Sequence, residues 1–221
     1  MENNGKQIND GERRIENYCT KRIRNLKDKK AIFGGTFDPP HKGHLMIADN
    51  VLKSGRVDRI IFVPAPKPPH KPDIPYSSFH SRVEMLRLMI SGKQRMEISD
   101  IELGRTGYSY TYDTLFQMSG IYPSSEIILL IGADSLLQLH TWHEAKKIVE
   151  NWQIVSYPRK GVFVSLSGLQ KFWDKNTADI LYASVLGMPS CDISSTVIRR
   201  KIRNGKNVDE LIEKSVLEYI V

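Results

Sequence analysis

Cysteine is scarce in this chain of 221 residues, which has only Cys19 and Cys191. Two cysteines are too few for the disulfide framework of a small secreted domain, so a reducing cytoplasm is the expected location. Long apolar runs are also missing, since no stretch approaches the roughly 20 apolar residues of a membrane-spanning helix. The first residues are polar and charged, unlike a signal peptide, and no membrane partner is expected.

The chain also lacks a strong positive charge spread evenly along its length. The net charge is +7, but residues 1–30 hold nine basic and five acidic residues and so account for +4 of it. No zinc-finger spacing, RNA-binding signature or basic zipper accompanies this charge, and nucleic acid is not an expected partner.

Residues 1–29 combine many charges with few large apolar residues and are predicted to form a charged N-terminal extension. Residues 30–221 are predicted to form one domain in which strands and helices alternate. Apolar runs predict strands at 31–33, 59–64, 126–132 and 153–156, with further strands at 96–103 and 180–186. Helical spacing predicts helices at 45–53, 79–90, 111–118 and 144–150, whereas five prolines within 66–76 predict a stiff loop. This alternation predicts an α/β fold of the Rossmann-like, doubly wound kind, with a mainly parallel sheet and helices on both faces.

A glycine pair and two histidines follow the first predicted strand. The segment reads Gly34-Gly35-Thr36-Phe37-Asp38-Pro39-Pro40-His41-Lys42-Gly43-His44. Glycines let the backbone approach a ligand closely, and free N–H groups at a helix start can face anionic oxygens. If the helix begins near Pro40, the rings of His41 and His44 lie on about the same side of its first turn and can donate to phosphate oxygens. A plain tight turn, a structural histidine pair and a zinc site remain alternatives for this segment alone.

A second motif lies near the C-terminus and reads Ser194-Ser195-Thr196-Val197-Ile198-Arg199-Arg200-Lys201-Ile202-Arg203-Asn204-Gly205. A serine or threonine cap and the closing Asn-Gly pair predict a compact helix. Hydroxyls, free N–H groups and an arginine at a helix start suit a polyphosphate. Taken alone, the segment also fits an ordinary capped basic helix.

Together the two motifs resemble the (H/T)xGH and ISSTxxR signatures of the nucleotidyltransferase superfamily, with Ile193 completing the second. Four further segments make the chain similar to the bacterial nicotinate-nucleotide adenylyltransferases: Pro68-Pro69-His70-Lys71, Ser109-Tyr110-Thr111, Ile131-Gly132-Ala133-Asp134-Ser135-Leu136 and Thr141-Trp142. The resemblance covers about residues 30 to 221. It implies that ATP and nicotinate mononucleotide are joined to give deamido-NAD and pyrophosphate, a step of NAD biosynthesis.

The resemblance also implies roles for the matching residues. His41 and His44 are expected to be catalytic, contacting the ATP phosphates and stabilising charge at the α-phosphorus. The other residues implied in ATP binding are Gly34, Gly35, Thr36, Asp134, Ser195, Thr196 and Arg199. Those implied in nicotinate mononucleotide binding are Thr36, His70, Lys71, Thr111, Trp142 and His143, with the Trp142 ring stacked on the pyridine. Mg²⁺ is expected to accompany ATP through water, with Asp38 near its hydration shell and no metal site in the protein itself.

Alternatives remain at the level of sequence. A related transferase with another acceptor, such as phosphopantetheine or a phosphorylated alcohol, would carry the same two motifs. A non-catalytic regulator that binds nucleotides, or RNA through the basic N-terminus, is a second alternative, and its RNA binding would be tight and salt-sensitive. Tyr157-Pro158-Arg159 stands where the family usually has Arg-Pro, so a contact between Arg159 and ATP is an open question. The oligomeric state, including a homo-oligomer, is open too.

Overall fold

Five short apolar runs form one parallel sheet in the residues that the structure, a computed structural model, describes: 28–66, 77–105 and 107–220. The strands are Asp28–Gly35 (β1), Arg59–Pro64 (β2), Met96–Ile98 (β3), Ser125–Gly132 (β4) and Gln153–Tyr157 (β5). Their order is β3-β2-β1-β4-β5, and every neighbouring pair is parallel. The predicted parallel α/β sheet is confirmed.

Helices connect these strands and follow the last of them. They are Lys42–Lys53 (α1), Phe79–Met89 (α2), Thr111–Ile121 (α3), Ala133–Gln138 (α4), Ala145–Asn151 (α5), Leu166–Leu169 (α6), Lys175–Ala183 (α7), Ser195–Arg203 (α8) and Lys214–Ile220 (α9). A 3₁₀ turn at Leu139–Thr141 separates α4 from α5. Among the described residues, no helix is long and apolar enough to cross a membrane.

Two hydrophobic clusters cover the two faces of the sheet, because successive strand side chains point to opposite sides. Ala31 and Phe33 of β1 belong to one cluster, which also takes in α1, α2, α8 and α9. Ile32, between them, belongs to the other cluster, with α3 to α7. Burial of each large apolar side chain of this kind stabilises the fold by about 1.5–3 kcal/mol. The predicted helix layers on both faces are confirmed.

The strand order places a topological switch beside β1. The chain runs from β1 outward to β2 and β3, and then returns to the other side of β1 with β4. The loops that follow β1 and β4 therefore diverge to opposite faces and leave a crevice at their carboxyl ends. Ligands of open parallel sheets bind at such a switch, and the glycine turn lies at the end of β1.

The strand predicted at 180–186 is wrong. Most of this segment belongs to α7, where Asp174 caps the helix by accepting the Thr177 N–H over 3.0 Å. Ala178 and Leu181 are buried at helical spacing, whereas Ile180 is exposed. The local cap and this spacing outweigh the apolar run, and only an isolated bridge between Ser156 and Val185 remains.

The strand predicted at 96–103 is confirmed only as far as Ile98. The Ser99 N–H still bonds to the Phe62 carbonyl over 2.9 Å, but Leu103 N–H bonds back to Asp100 and closes a turn. Most of the predicted proline-rich loop lies outside the described residues, and so do His70 and Lys71. The domain boundary at residue 30 stays a prediction, although β1 begins at Asp28.

Candidate active site

The two motifs line one cavity of about 350 Å³ at the carboxyl end of β1. Two hydrogen bonds join them directly. Ser195 Oγ donates to the Pro39 carbonyl over 2.9 Å, and Arg199 Nη1 donates to the Asp38 carbonyl over 2.5 Å. The cavity is lined by Phe33, Gly34, Gly35, Thr36, Phe37, His41, His44, Tyr157, Arg159, Ile193, Ser194, Ser195, Thr196 and Arg199. The two segments, which are far apart in the chain, therefore meet at one cavity.

His41 and His44 stack at the start of α1, with ring centroids 3.7 Å apart and an interplanar angle of 21°. The helix begins at Lys42 with His41 as N-cap, slightly later than predicted, and both rings lie on the same side as expected. The His41 backbone N–H donates to His44 Nδ1 over 3.2 Å. An accepting Nδ1 carries no proton, so the neutral His44 ring carries its proton on Nε2. His44 is therefore set up as a donor through Nε2.

Both imidazoles are held neutral in the free protein. Burial, and secondarily the positive charge of Arg159, lowers the pKa of His41 from 6.5 to about 3. Burial, the neighbouring His41 ring and Arg159 lower the pKa of His44 well below 6.5. An anionic ligand in the cavity would oppose these causes by supplying negative charge. The pair is thus suited to gain positive character only when phosphate is present.

This arrangement predicts an acid-sensitive fold. The unfolded histidines bind protons below pH 6.5 while the folded rings do not, so stability is complete above that pH and is lost as the pH falls toward 3. For His41, the free energy of unfolding should fall by about 2 kcal/mol between pH 7 and pH 5. Urea unfolding at several pH values measures this loss, and His41→Gln should reduce it by a similar amount. Identical pH slopes for wild type and variant would show that the ring is not held neutral.

Two glycines of the first motif are required by close packing. A Cβ on Gly43 would lie 2.3 Å from Cys191 Sγ and 2.9 Å from His41 Nδ1. A Cβ on Gly35 would lie 2.9 Å from the Phe37 ring. Phe37 is itself in the left-handed region, at φ 51°, and its buried ring meets His44 edge-on with centroids 4.9 Å apart. Phe37 and Cys191, which the motifs did not single out as functional, thus pack close to the histidine pair, Phe37 against the His44 ring and Cys191 against Gly43.

Lys42, between the two histidines, does not line the cavity. Its backbone N–H donates to the Leu211 carbonyl and its ammonium donates to the Asp209 carbonyl, each over 2.9 Å. The first N–H of α1 is consequently used inside the protein. Of the N–H groups expected to face anionic oxygens at this helix start, that of Lys42 is therefore not available to a ligand.

The second motif forms α8 as predicted, beginning at Ser195 after the N-cap residue Ser194 and ending before Asn204. A serine occupies the N-cap position as predicted, but the Ser194 side chain makes no capping hydrogen bond within the described chain. Instead, the Ser195 hydroxyl reaches across to the first motif, and Thr196 Oγ1 accepts from Arg199 Nη2 over 3.4 Å. Ile198 is fully buried and anchors the helix under the cavity.

Arg159 also lines the cavity. Its Nη2 donates to the Tyr157 hydroxyl over 3.3 Å, and its guanidinium lies 5.2 Å from the centre of that ring. Its Nε lies 3.6 Å from Asp134 Oδ1, in the first turn of α4. Asp134 therefore stands at the end of β4 as predicted, beside the cavity wall and paired with its arginine.

Apart from Thr36, the described residues expected to bind the acceptor lie on two neighbouring segments. Thr111 is the first residue of α3, and Trp142 follows the 3₁₀ turn after α4. The segments touch through the rings of Tyr110 and His143, whose centroids are 4.4 Å apart. Apart from Thr36, none of the described acceptor candidates lines the cavity. Thr111, Trp142 and His143 lie together in a separate place, which is called the second contact region below.

A buried polar cluster fixes the start of α3. Thr114 Oγ1 donates to Glu102 Oε1 over 2.6 Å, and Arg105 Nη1 donates to Thr114 Oγ1 over 2.8 Å. Burial raises the pKa of the Glu102 carboxyl, against the opposing effects of Thr114, Arg105 and Ser109. This cluster holds the turn before α3 against the helix and so places Thr111.

The described residues do not provide a group of side chains that could coordinate a metal ion. No group of three His, Cys, Asp or Glu side chains there is arranged to hold an ion. The zinc alternative for the histidine pair has no third ligand in that part of the chain. The Asp38 carboxylate is buried and accepts the Ser77 N–H over 3.2 Å, which makes it a structural acceptor for that turn.

Comparisons with known proteins agree with this site. The cytidylyltransferase-like family matches residues 32–201. The chain is 37% identical to a probable nicotinate-nucleotide adenylyltransferase of Clostridium tetani, over 87% of this chain and 96% of the relative. It is 35% identical to the nicotinate-nucleotide adenylyltransferase of Bacillus subtilis, over 87% of this chain and 95% of that protein.

A solved structure supports the fold at greater distance. The nicotinic acid mononucleotide adenylyltransferase of Plasmodium falciparum, complexed with NaAD, superposes with a TM-score of 0.71 at 21% identity. The match covers 87% of this chain and 94% of the Plasmodium chain. The cavity, the two motifs that line it and the near full-length likeness to curated relatives lead to one assignment: the chain belongs to the nicotinate-nucleotide adenylyltransferase family.

Proposed function

We propose that this protein transfers the adenylyl group of ATP to nicotinate mononucleotide, forming deamido-NAD and releasing pyrophosphate. The observation that carries the proposal is the single cavity in which the stacked histidines of α1 face Arg199 of α8. The names of the relatives support the choice of acceptor. The products would serve NAD biosynthesis in the cytoplasm.

The reaction needs no covalent enzyme intermediate. A phosphate oxygen of the mononucleotide attacks the α-phosphorus, a new O–P bond forms, and the bond from the α-phosphorus to the bridging oxygen breaks. The electron pair of that bond leaves with pyrophosphate. Because the attacking oxygen is already anionic, no general base is required, and catalysis rests on alignment and charge stabilisation.

Different residues around the cavity align the phosphates and stabilise their charge. His44 Nε2–H and the His41 ring donate to oxygens of the transferring phosphate, where negative charge increases in the transition state. Gly34, Gly35 and Thr36 form the glycine turn at the end of β1, which lies against the phosphates and is called the phosphate turn below. Arg199, with Ser195 and Thr196, holds the leaving pyrophosphate part, since a guanidinium fork matches phosphate oxygens. Asp134 contacts the nucleotide beside the cavity, and Arg159, which is paired with Asp134 and lines the cavity, adds positive charge near the histidines.

Mg²⁺ enters this proposal with ATP as a substrate complex. Phosphate oxygens and water would hold the ion, because Mg²⁺ keeps much of its hydration. When bound, the ion neutralises phosphate charge. The protein's own part is to orient the triphosphate between α1 and α8.

The acceptor binds at the second contact region. Thr111 and the backbone at His143 receive the nicotinate carboxylate, the Trp142 ring stacks on the pyridine, and His70 and Lys71 contact the substrate phosphate. A carboxamide would bring its own NH₂ group to donors arranged for a carboxylate and leave some of them unpaired. A preference for the acid over the amide follows, because such rejection can be worth several kcal/mol.

Trp142→Ala is expected to raise KM for nicotinate mononucleotide by about threefold to tenfold, the value of an aromatic contact of about 0.5–1.5 kcal/mol. KM for ATP should change much less. Trp142→Phe keeps an aromatic plane and serves as the matched control, so most of the affinity should return. Steady-state kinetics with each substrate varied in turn makes the comparison, and an unchanged KM for the mononucleotide in Trp142→Ala would argue against stacking.

A pyrophosphate-release assay tests the proposed reaction itself. ATP is supplied with nicotinate mononucleotide, nicotinamide mononucleotide or phosphopantetheine in parallel. Release should be fastest with nicotinate mononucleotide. Release with phosphopantetheine alone would assign a different acceptor, and absence of release with every acceptor, together with salt-sensitive RNA binding, would favour a regulator.

A further inference from the structure

Arg82 of α2 is almost completely buried, with 2% of its surface exposed, and it does not line the cavity. Its guanidinium reaches three separate segments. Nη1 donates to the Thr36 and Ala65 carbonyls, each over 2.8 Å. Nη2 donates to the Pro66 carbonyl over 3.3 Å, and Nε donates to the Ser77 carbonyl over 3.2 Å.

These segments all border the proposed substrate sites. Thr36 belongs to the phosphate turn, Ala65 and Pro66 follow β2, and Ser77 precedes α2. Two more bonds complete the assembly: Ala65 N–H donates to the Gly35 carbonyl over 2.9 Å, and Ser77 N–H donates to the Asp38 carboxylate over 3.2 Å. Arg82 thus joins the phosphate turn to both ends of the connection that carries His70 and Lys71.

The bond to Thr36 has an electrostatic consequence. A carbonyl oxygen that faced a phosphate would repel it, whereas the Thr36 carbonyl is hydrogen-bonded to a guanidinium on the buried side of the turn. Bonds to a charged donor are about twice as strong as neutral ones, so this orientation is firmly held. Thr36 can then offer the cavity its hydroxyl and the turn's N–H groups.

We infer that Arg82 is a positioning residue. It fixes the phosphate turn, and both ends of the connection that carries His70 and Lys71, in the geometry that binds ATP. The inference rests on the proposed function for its kinetic test. Only a planar fork can reach three segments at once, because its five N–H donors have fixed directions. The Phe79 ring, 5.4 Å from the guanidinium, supports that plane.

The test compares Arg82→Lys with a stability control. Lysine keeps the charge but places its donors at one point, so the bonds to Thr36, Ala65 and Ser77 cannot all form. Leu181→Ala removes a buried side chain of α7 on the other face of the sheet, and it should lower the melting temperature at least as much. Melting curves first define a temperature at which both variants are fully folded.

At that temperature, Arg82→Lys should raise KM for ATP and lower kcat/KM by about tenfold or more, whereas Leu181→Ala should stay within about twofold of wild type. Equal kinetic losses in both variants, or none in Arg82→Lys, would overturn the inference. If Arg82→Lys does not fold, Phe79→Leu takes its place, and KM for ATP should rise about threefold, with no change counting against the role.

Calorimetric titration with ATP separates this inference from the proposed reaction. Binding does not require turnover, so a weaker ATP affinity in Arg82→Lys supports the positioning role even if no acceptor is adenylylated. An active wild type with unchanged ATP affinity in Arg82→Lys retains the reaction and removes the role of Arg82.

Discussion

Replacing His44 by alanine is expected to lower kcat/KM at least about a hundredfold, equal to about 2.7 kcal/mol of transition-state stabilisation. His44 Nδ1 accepts the His41 N–H, so its Nε2 proton is directed away from that bond. The ring is also neutral in the free protein, because burial lowers its pKa. In the proposed reaction this donor bonds most strongly when charge builds up on the α-phosphate, and its loss should appear mainly in kcat.

The control for this variant is His80→Ala, which alters an exposed histidine on α2. Surface substitutions of this kind usually change stability by no more than about 0.5 kcal/mol, and turnover should remain near that of wild type. Initial rates of pyrophosphate release under saturating and limiting ATP give kcat and kcat/KM. Near-normal turnover by His44→Ala would remove the histidine from the mechanism.

Replacing Arg199 by lysine is expected to raise KM for ATP by about tenfold to a hundredfold, the value of about 1.5–3 kcal/mol for a charge-assisted hydrogen bond. Arg199 reaches the first motif through the Asp38 carbonyl and Thr196 through its other nitrogen. Lysine keeps the positive charge but loses the fork that binds two oxygens together. KM for nicotinate mononucleotide should change far less, because Arg199 lies at the phosphate end.

Arg200→Lys is the matched control, since Arg200 is the next residue of the same helix and is exposed. Like Arg199→Lys, the substitution leaves the net charge unchanged, and it alters the neighbouring position of α8. Its KM for ATP should equal that of wild type. No effect in either variant would mean that α8 acts through positive charge, which lysine keeps, and equal losses in both would mean a general disturbance of the helix; either result would contradict a specific role for Arg199.

The sequence predicted the parts of the fold whose signals are local. Apolar runs identified β1, β2, β4 and β5, and helical spacing identified α1, α2, α3 and α5. The segment at 180–186 failed because an apolar run is ambiguous between strand and helix, and the cap at Asp174 lies outside it. β3 was predicted too long because a turn closes after Ser99.

The site was predictable where its residues stand in contiguous motifs, and less so where function depends on distant packing. The pairing of the motifs came from a family likeness, whereas spacing alone left turn, zinc and cap alternatives open. Arg82 gave no signal, because an arginine within an amphipathic helix usually lies in solvent. The contact between Cys191 and Gly43 joins positions that no sequence rule relates. These features become visible only when the chain is folded.

A crystal structure with a non-hydrolysable ATP analogue measures most directly whether one triphosphate joins the two motifs. We expect phosphate oxygens within hydrogen-bonding distance, about 2.7–3.2 Å, of His44 Nε2 and the Arg199 guanidinium in the same molecule. A triphosphate that contacts α1 without α8, or that binds away from both histidines, would contradict the shared site.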